Sequence, residues 1–542
     1  MDKEKNRPDA GLRSLDHYKI RLPRWRYNLR ERLLPIVRWE TPYVAWLQNS
    51  LRTPALDTYF AFSANLGTHT AFMVLLPILF WCGHTGIGRG MTHVLAAGCF
   101  WSGFFKDLLC LPRPLSPPLQ RITMSGSAAL EYGFPSTHST NSVSVAIYSL
   151  YLLHSNDQIS PNLKLGLQIS FYLYAFSIVL GRLYCGMHGF FDVIWGTILG
   201  ALVALVQCFY GQYFDQWVHA ADLPRVLLMV LAILVLVRIH PEPADDCPCY
   251  DDSVAFAGVF IGIQVGGWHF SRTSYAWSDP NPGTVPFDLA KMSWTVVVLR
   301  IVLGVATIFA WRGIMKPTLL RIFPPIFRVI ETLGLTLPRR FFKPASQYET
   351  VPRQENDDNV IPPARDIPHL LTSFRRRRAI SVGPQSEADA YEALAYRDKR
   401  RRASRILEGS PSPAKQASPE PTAYFQEKNS PPQKDSPAAS GGRKRSSSVE
   451  MFRAQMGMGA GVDQLSPMPL STPGVGTARS PSPQEVQAMD LLQERRLFAS
   501  IQRPRVRYDV EVVTKLIVYS GIAWLSVEGN PILFKYLGLA VD

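Results

Sequence analysis

Lys106-Asp-Leu-Leu-Cys-Leu-Pro-Arg113-Pro114, Pro135-Ser136-Thr137-His138 and Gly181-Arg182-Leu-Tyr-Cys-Gly-Met-His188-Gly-Phe-Phe-Asp192 are three polar stretches planted at the ends of otherwise apolar segments. Within them Lys106, Arg113, Arg182, His138, His188 and Asp192 bring three cations, two histidines and a carboxylate to the edges of membrane-length helices. Such groups are costly there unless they pair or do chemistry. Their placement predicts an all-α, polytopic membrane helical bundle built around one anion-handling site.

Outward from this centre the composition is uneven. The chain has 542 residues and a net charge of +14, yet its long apolar runs lie between about 56 and 315 and again after 515, with Pro, Ser and Arg crowded between. Residues 1–40 carry eleven Lys or Arg against six Asp or Glu and no apolar core segment, so no cleavable secretory signal is expected and insertion relies on an internal helix. A basic N-terminus prefers the cytosol. No basic and aromatic module of the nucleic-acid-binding kinds is present, so no nucleic-acid partner is expected.

Residues 33–51 are aromatic but interrupted by Arg38, Glu40 and Pro42, which suits an amphipathic segment in the interface better than a span. A lead-in helix is expected at 57–67 and a glycine-rich turn at Gly83, Gly86, Gly88 and Gly90. Apolar runs at about 68–82, 91–110, 138–153, 163–182, 190–210, 223–239, 253–270, 293–311 and 510–539 give about eight to nine transmembrane helices. The stretch 322–337, apolar but holding Pro324, Pro325, Arg328 and Glu331, reads as interfacial or re-entrant. The chain thus divides into a basic N-terminal segment (1–40), a membrane core holding the motifs (41–215), additional spans (216–337), a polar insert (338–507) and a final span (508–542). The insert, with its arginine runs and eight Ser-Pro steps, has too little apolar surface to offset its ordering entropy and is expected to be disordered.

Lys106 and Arg113 converge because Pro112 and Pro114 end the helix and let Arg113 bend back. Guanidinium and ammonium together suit a dianionic phosphate, the first as a fork and the second as a point charge. Ser136, Thr137 and His138 open a helix whose unpaired amides favour an anion, with the Ser136 hydroxyl as a further donor. Arg182 closes one helix, and the spacing of His188 and Asp192 puts imidazole and carboxylate on one helical face. A carboxylate bound to one ring nitrogen leaves the other as nucleophile or base. No CxxC pair points to zinc, and the acidic loop Asp245, Asp246, Asp251, Asp252 lacks EF-hand spacing, so it reads as solvated surface. The oxidation state of Cys247 and Cys249 in that loop stays open.

Together the three stretches resemble the signature of the type 2 phosphatidic acid phosphatase (PAP2) superfamily, with Thr137 in place of the usual Gly and Gly181 in place of the usual Ser. Phe-Pro-Ser-Thr-His, Gly-Met-His and the segment from Cys247 to Gly258 look most like its sphingosine-1-phosphate phosphatase branch, over roughly 38–337 and the final span. The resemblance implies a PAP2/haloperoxidase-like core that hydrolyses sphingoid long-chain base 1-phosphates without a metal or other cofactor. By it, His188 is the nucleophile, Asp192 orients it, His138 is the acid and then the base, and Lys106, Arg113, Ser136, Thr137 and Arg182 hold the phosphate. A broader lipid phosphatase acting on phosphatidic acid or a polyprenyl diphosphate is the alternative enzyme. A scaffold or anion transporter is the alternative without catalysis.

The expected partners are a lipid phosphate, the bilayer and kinases reaching Ser381 or Ser446 beside the arginine runs of the insert. The resemblance places the protein in the endoplasmic reticulum membrane with a lumenal site, whereas charge places the N-terminus and the insert in the cytosol. That split needs an odd number of crossings before Arg113. Two are clear, and a third exists only if the lead-in helix also crosses.

Overall fold

The computed structural model describes residues 15–540 except 67–68, 117, 123–130, 246, 280, 336–341 and 352–506. It is predominantly helical, and five helices are long and apolar enough to cross a membrane: Pro161–Tyr184, Phe190–Ala220, Cys249–Phe270, Trp294–Thr332 and Val510–Tyr536.

A short helix α1 (Leu15–Arg21) leads into α2 (Arg24–Leu51). One face of α2 exposes Trp25, Trp39, Tyr43 and Trp46, while the other buries Arg26, Arg30, Val37, Glu40, Val44 and Gln48. An aromatic outer face on a helix with a polar, bonded inner face suits the membrane interface. The inner face is tied to the rest of the molecule. Arg26 donates to the Leu108 carbonyl at 2.8 Å, and Gln48 donates to the carbonyls of Gln120 and Tyr184, each at 2.7 Å.

Next come α3 (Pro54–Leu66) and α4 (His69–Trp81). Phe60 lies 4.6 Å from the Tyr184 ring at the near end, and Trp81 donates to the Ser526 carbonyl at 3.0 Å at the far end. The two short helices thus run from the Tyr184 end of the bundle to the Ser526 end, and α5 (Thr85–Leu109) runs back. The glycine-rich turn is also smaller than expected: Gly83 turns the chain at φ +78°, and Gly86, Gly88 and Gly90 belong to α5. Gly90 serves close packing, since a Cβ there would lie 2.0 Å from the Tyr148 hydroxyl.

The centre of the bundle is α6 (Thr137–His154), α7 (Pro161–Tyr184) and α8 (Phe190–Ala220). A Cβ on Gly196 would lie 2.6 Å from the Ser136 carbonyl, and one on Gly200 would lie 2.3 Å from the Thr140 carbonyl. Helices α6 and α8 thus meet backbone to backbone, as small residues permit in membranes. The Ser136 N–H donates to the Asp192 carbonyl at 3.0 Å, which fixes the start of one helix to the start of the other.

Helices α9 (Leu223–Ile239), α10 (Cys249–Phe270) and α11 (Trp294–Thr332) follow. At 1.5 Å per residue, α11 is about 58 Å long, well beyond a hydrocarbon core of about 30 Å. The stretch 322–337 is therefore not re-entrant through residue 332: it continues α11 as helix. The final span is α12 (Val510–Trp524), a π turn and α13 (Asn530–Tyr536), packed along α10 through Gly258 and Gly262.

The polar insert begins and ends in order. Strands β1 (Phe342–Lys343) and β2 (Arg507–Tyr508) pair in parallel, Asp509 accepts the Ala345 N–H at 2.8 Å, and Arg507 lies 3.5 Å from Asp251. The expected disorder of 352–506, with Ser381 and Ser446, lies outside the described residues. The acidic loop is not solvated surface. Asp245 is buried and accepts from the hydroxyls of Tyr18 at 3.0 Å and Tyr132 at 2.9 Å, while Asp251 is buried between Arg507 and Lys515. The reason is partner supply, because a buried carboxylate is tolerated where donors from other segments reach it. Asp246 is outside the described residues.

These contacts decide what shares an end. Helix α2, the motif loops, the acidic loop and both ends of the insert meet at one end of the bundle. Residues 1–14 and 352–506, whose side of the membrane the expected split concerns, lie outside the described residues.

Candidate active site

Each motif is delivered by a helix end. Lys106 sits in the last turn of α5 and is 3% exposed, and Arg113 follows in the loop, 6% exposed. The Arg113 guanidinium fans over three segments: Nε donates to the Glu131 carbonyl at 3.1 Å, and Nη1 donates to the Met187 carbonyl at 2.9 Å and lies 3.1 Å from His188 Nε2. Burial, only partly offset by Glu131, lowers its pKa to about 10, which leaves it charged at neutral pH.

His188 lies between α7 and α8, buried, with Nδ1 3.4 Å from Asp192 Oδ2. Because guanidinium has no acceptor, Nε2 must present its lone pair to Arg113, and the ring proton belongs on Nδ1, facing Asp192. Burial first, then the charges of Arg113, Arg182 and Lys106, hold the His188 pKa well below its ordinary value. The ring is therefore neutral, with its basic nitrogen turned into the cation cluster. Asp192, fully buried, also accepts the Gly189 N–H at 3.1 Å, which caps α8.

Ser136 caps α6 as an acceptor, taking the Ser139 N–H at 3.4 Å and the Ser139 hydroxyl at 3.0 Å, so its own proton is available to donate. Thr137 accepts from the Ser102 hydroxyl at 3.0 Å, an anchor that the usual glycine would lack. His138 is half-buried on the first turn of α6, close enough to be among the groups that lower the His188 pKa. Arg182 is buried at the end of α7, and its Nε has no hydrogen-bond partner among the described residues. All eight expected residues thus lie at the same end of the bundle, on the ends of four helices or in the loops beside them.

Two carboxylates escaped the sequence reading. Glu131 Oε2 bridges Lys106 Nζ at 3.0 Å and Arg113 Nη2 at 3.3 Å. Its signal was present, as the sole acid between 111 and 135. Glu40 reaches in from α2 and accepts the Phe191 N–H at 2.8 Å, one residue from Asp192. Nothing local to Glu40 predicts this. Among the described residues one group could offer three metal ligands, Asp107 with Cys247 and Cys249, the two cysteines being paired with each other in this structure.

The family model that matches, described as the PAP2 superfamily, covers residues 88–216, from α5 to the end of α8. A dihydrosphingosine 1-phosphate phosphatase of Schizosaccharomyces pombe is 41% identical over 339 residues, 62% of this chain and 79% of its own. The chain belongs to the PAP2 superfamily. A second dihydrosphingosine 1-phosphate phosphatase, of Saccharomyces cerevisiae, is 32% identical to this PAP2 protein over 57% of the chain and 75% of its own length. Human sphingosine-1-phosphate phosphatase 2 is 25% identical over 50% and 67%. No solved structure matches the PAP2 protein.

Proposed function

We propose that this protein removes phosphate from sphingoid long-chain base 1-phosphates through a phosphohistidine. The observation that carries the reading is the line Arg113–His188–Asp192, which leaves a neutral imidazole with its lone pair among three buried cations. His188 Nε2 attacks phosphorus, the bond to the lipid oxygen breaks, and His138 gives that oxygen its proton. Water then attacks phosphorus, His138 takes a proton from it, the N–P bond breaks and inorganic phosphate leaves. Lys106, Arg113, Ser136, the amide of Thr137 and Arg182 stabilise charge on the equatorial oxygens, the main demand of phosphoryl transfer.

The test is phosphate release from dihydrosphingosine 1-phosphate by purified protein with a chelator present. Release should persist, and His188→Ala should abolish both release and the acid-labile phosphoenzyme. Equal release by that variant defeats the mechanism. A preference for phosphatidic acid over the sphingoid phosphate would move the substrate assignment and leave the mechanism standing.

In the membrane we count nine traverses: α3 with α4, then α5 to α11 singly, then α12 with α13. We place them in the endoplasmic reticulum with the site lumenal, which brings α2 and the insert into the lumen as well. The eleven basic residues of 1–40 support the opposite placement, with site, N-terminus and insert all cytosolic. Only in that second arrangement do cytosolic kinases reach Ser381 or Ser446.

A further inference from the structure

We propose that Glu131 selects substrates by charge, favouring a lipid phosphate that carries an ammonium next to its phosphate-bearing carbon. This rests on the phosphatase reading above and adds to it a residue that reads the lipid.

The Glu131 side chain is 22% exposed, whereas the Lys106 and Arg113 side chains that it bridges are 4% and 5% exposed, so the carboxylate covers the cation pair from the solvent side. Its Oε2 contacts both cations. A phosphate offers more charge and more oxygens to the same two donors and displaces it. The backbone cannot follow. The Glu131 carbonyl is held by Arg113 Nε at 3.1 Å, and the adjoining Tyr132 is anchored to Asp245 at 2.9 Å. The displaced carboxylate thus swings on a fixed stem and stays within a side chain's reach of the phosphate.

Two anions left side by side repel, so a substrate without a compensating cation meets a penalty. In a sphingoid base 1-phosphate the amine-bearing carbon is bonded to the phosphorylated carbon, so its ammonium falls between phosphate and carboxylate. Phosphatidic acid has an ester oxygen there and no cation. One residue then supplies both an attraction for the amino lipid and a repulsion for the others, the two halves of specificity.

Full-length protein in mixed micelles is assayed with dihydrosphingosine 1-phosphate, its N-acetyl derivative and octadecyl phosphate. Wild type should favour the free amine over both uncharged analogues in kcat/KM by about tenfold, a modest charge-pair effect. Glu131→Gln should collapse that ratio, partly by improving the analogues, and Glu131→Asp should retain it. If wild type treats the free and acetylated amines alike, or if Glu131→Gln lowers all three substrates together, the assignment is wrong. Hydrolysis of none of the three by wild type overturns the phosphatase reading itself. The wild-type comparison needs no variant and so stands even if Glu131→Gln fails to fold.

Discussion

Glu40 Oε2 accepts the backbone N–H of Phe191 at 2.8 Å, joining α2 to the first turn of the helix that carries Asp192. The fit is close: a Cβ on Gly189 would lie 1.7 Å from Glu40 Oε1. An acceptor at a helix N-terminus both caps it and complements its dipole. Loss of the cap in Glu40→Ala should free the His188–Asp192 turn and lower kcat about tenfold with little change in KM, as the lost precision acts on the chemical step. Glu40→Gln, which can still accept, should keep most of the activity.

The same residue sets a pH dependence of stability. Burial, aided by the Asp192 charge and only partly offset by the Phe191 N–H, raises the Glu40 pKa from 4.5 to about 7. The native state then holds a proton that the unfolded chain releases, so this contribution is complete below about pH 4.5 and is lost as pH rises through about 7. Thermal unfolding in detergent should show the wild type losing stability over that window relative to Glu40→Gln. Parallel profiles for the two proteins would contradict it.

For His188 the shift runs the other way, and the ring stays neutral well below its ordinary range. Rapid-quench formation of the phosphoenzyme should therefore have a similar amplitude at pH 7.5 and pH 5.5, whereas an imidazole of ordinary pKa, about 6.5, would be mostly protonated at the lower value. A collapse of the burst at pH 5.5 would show that Nε2 is protonated there.

Arg113→Lys keeps one charge but cannot contact Glu131, Met187 and His188 together as the guanidinium does. We expect kcat to fall by about 10² to 10³, the usual result of removing one preorganised donor from a transition state. Activity within threefold of wild type would mean that the guanidinium only fills space.

Gly200→Ala places a methyl group 2.3 Å from the Thr140 carbonyl and should cost about 1–3 kcal/mol as overpacking between α6 and α8. Gly166 has nothing within 4 Å of its virtual Cβ, so Gly166→Ala is the matched control and should be neutral or slightly stabilising. Unfolding temperatures of the two variants, measured in one detergent, decide it.

Single cysteines at Ser125 and Ser440 in sealed microsomes should label from the same side, because the segments that flank both positions meet at one end of the bundle. Labelling from opposite sides would refute the shared end.

Much of this molecule is written locally. Apolar runs about as long as a bilayer is thick forced helices, and polar residues left at the ends of those runs marked the site, since burying them idle is too costly. Hence His188, Asp192, Lys106, Arg113, Ser136, Thr137, His138 and Arg182 are legible as a candidate site from spacing and resemblance alone. What tertiary structure alone decided are relations between segments distant in the chain: the Glu40 cap on α8, the Glu131 bridge over two cations, the burial of Asp245 among tyrosines from two other segments, and the two traverses that bring α2 to the site's own end. Sequence pattern reports how a residue meets its own helix. Which distant donor or acceptor it meets depends on how the helices pack, and packing is set by backbone approaches such as those at Gly196 and Gly200, which carry no periodic signal.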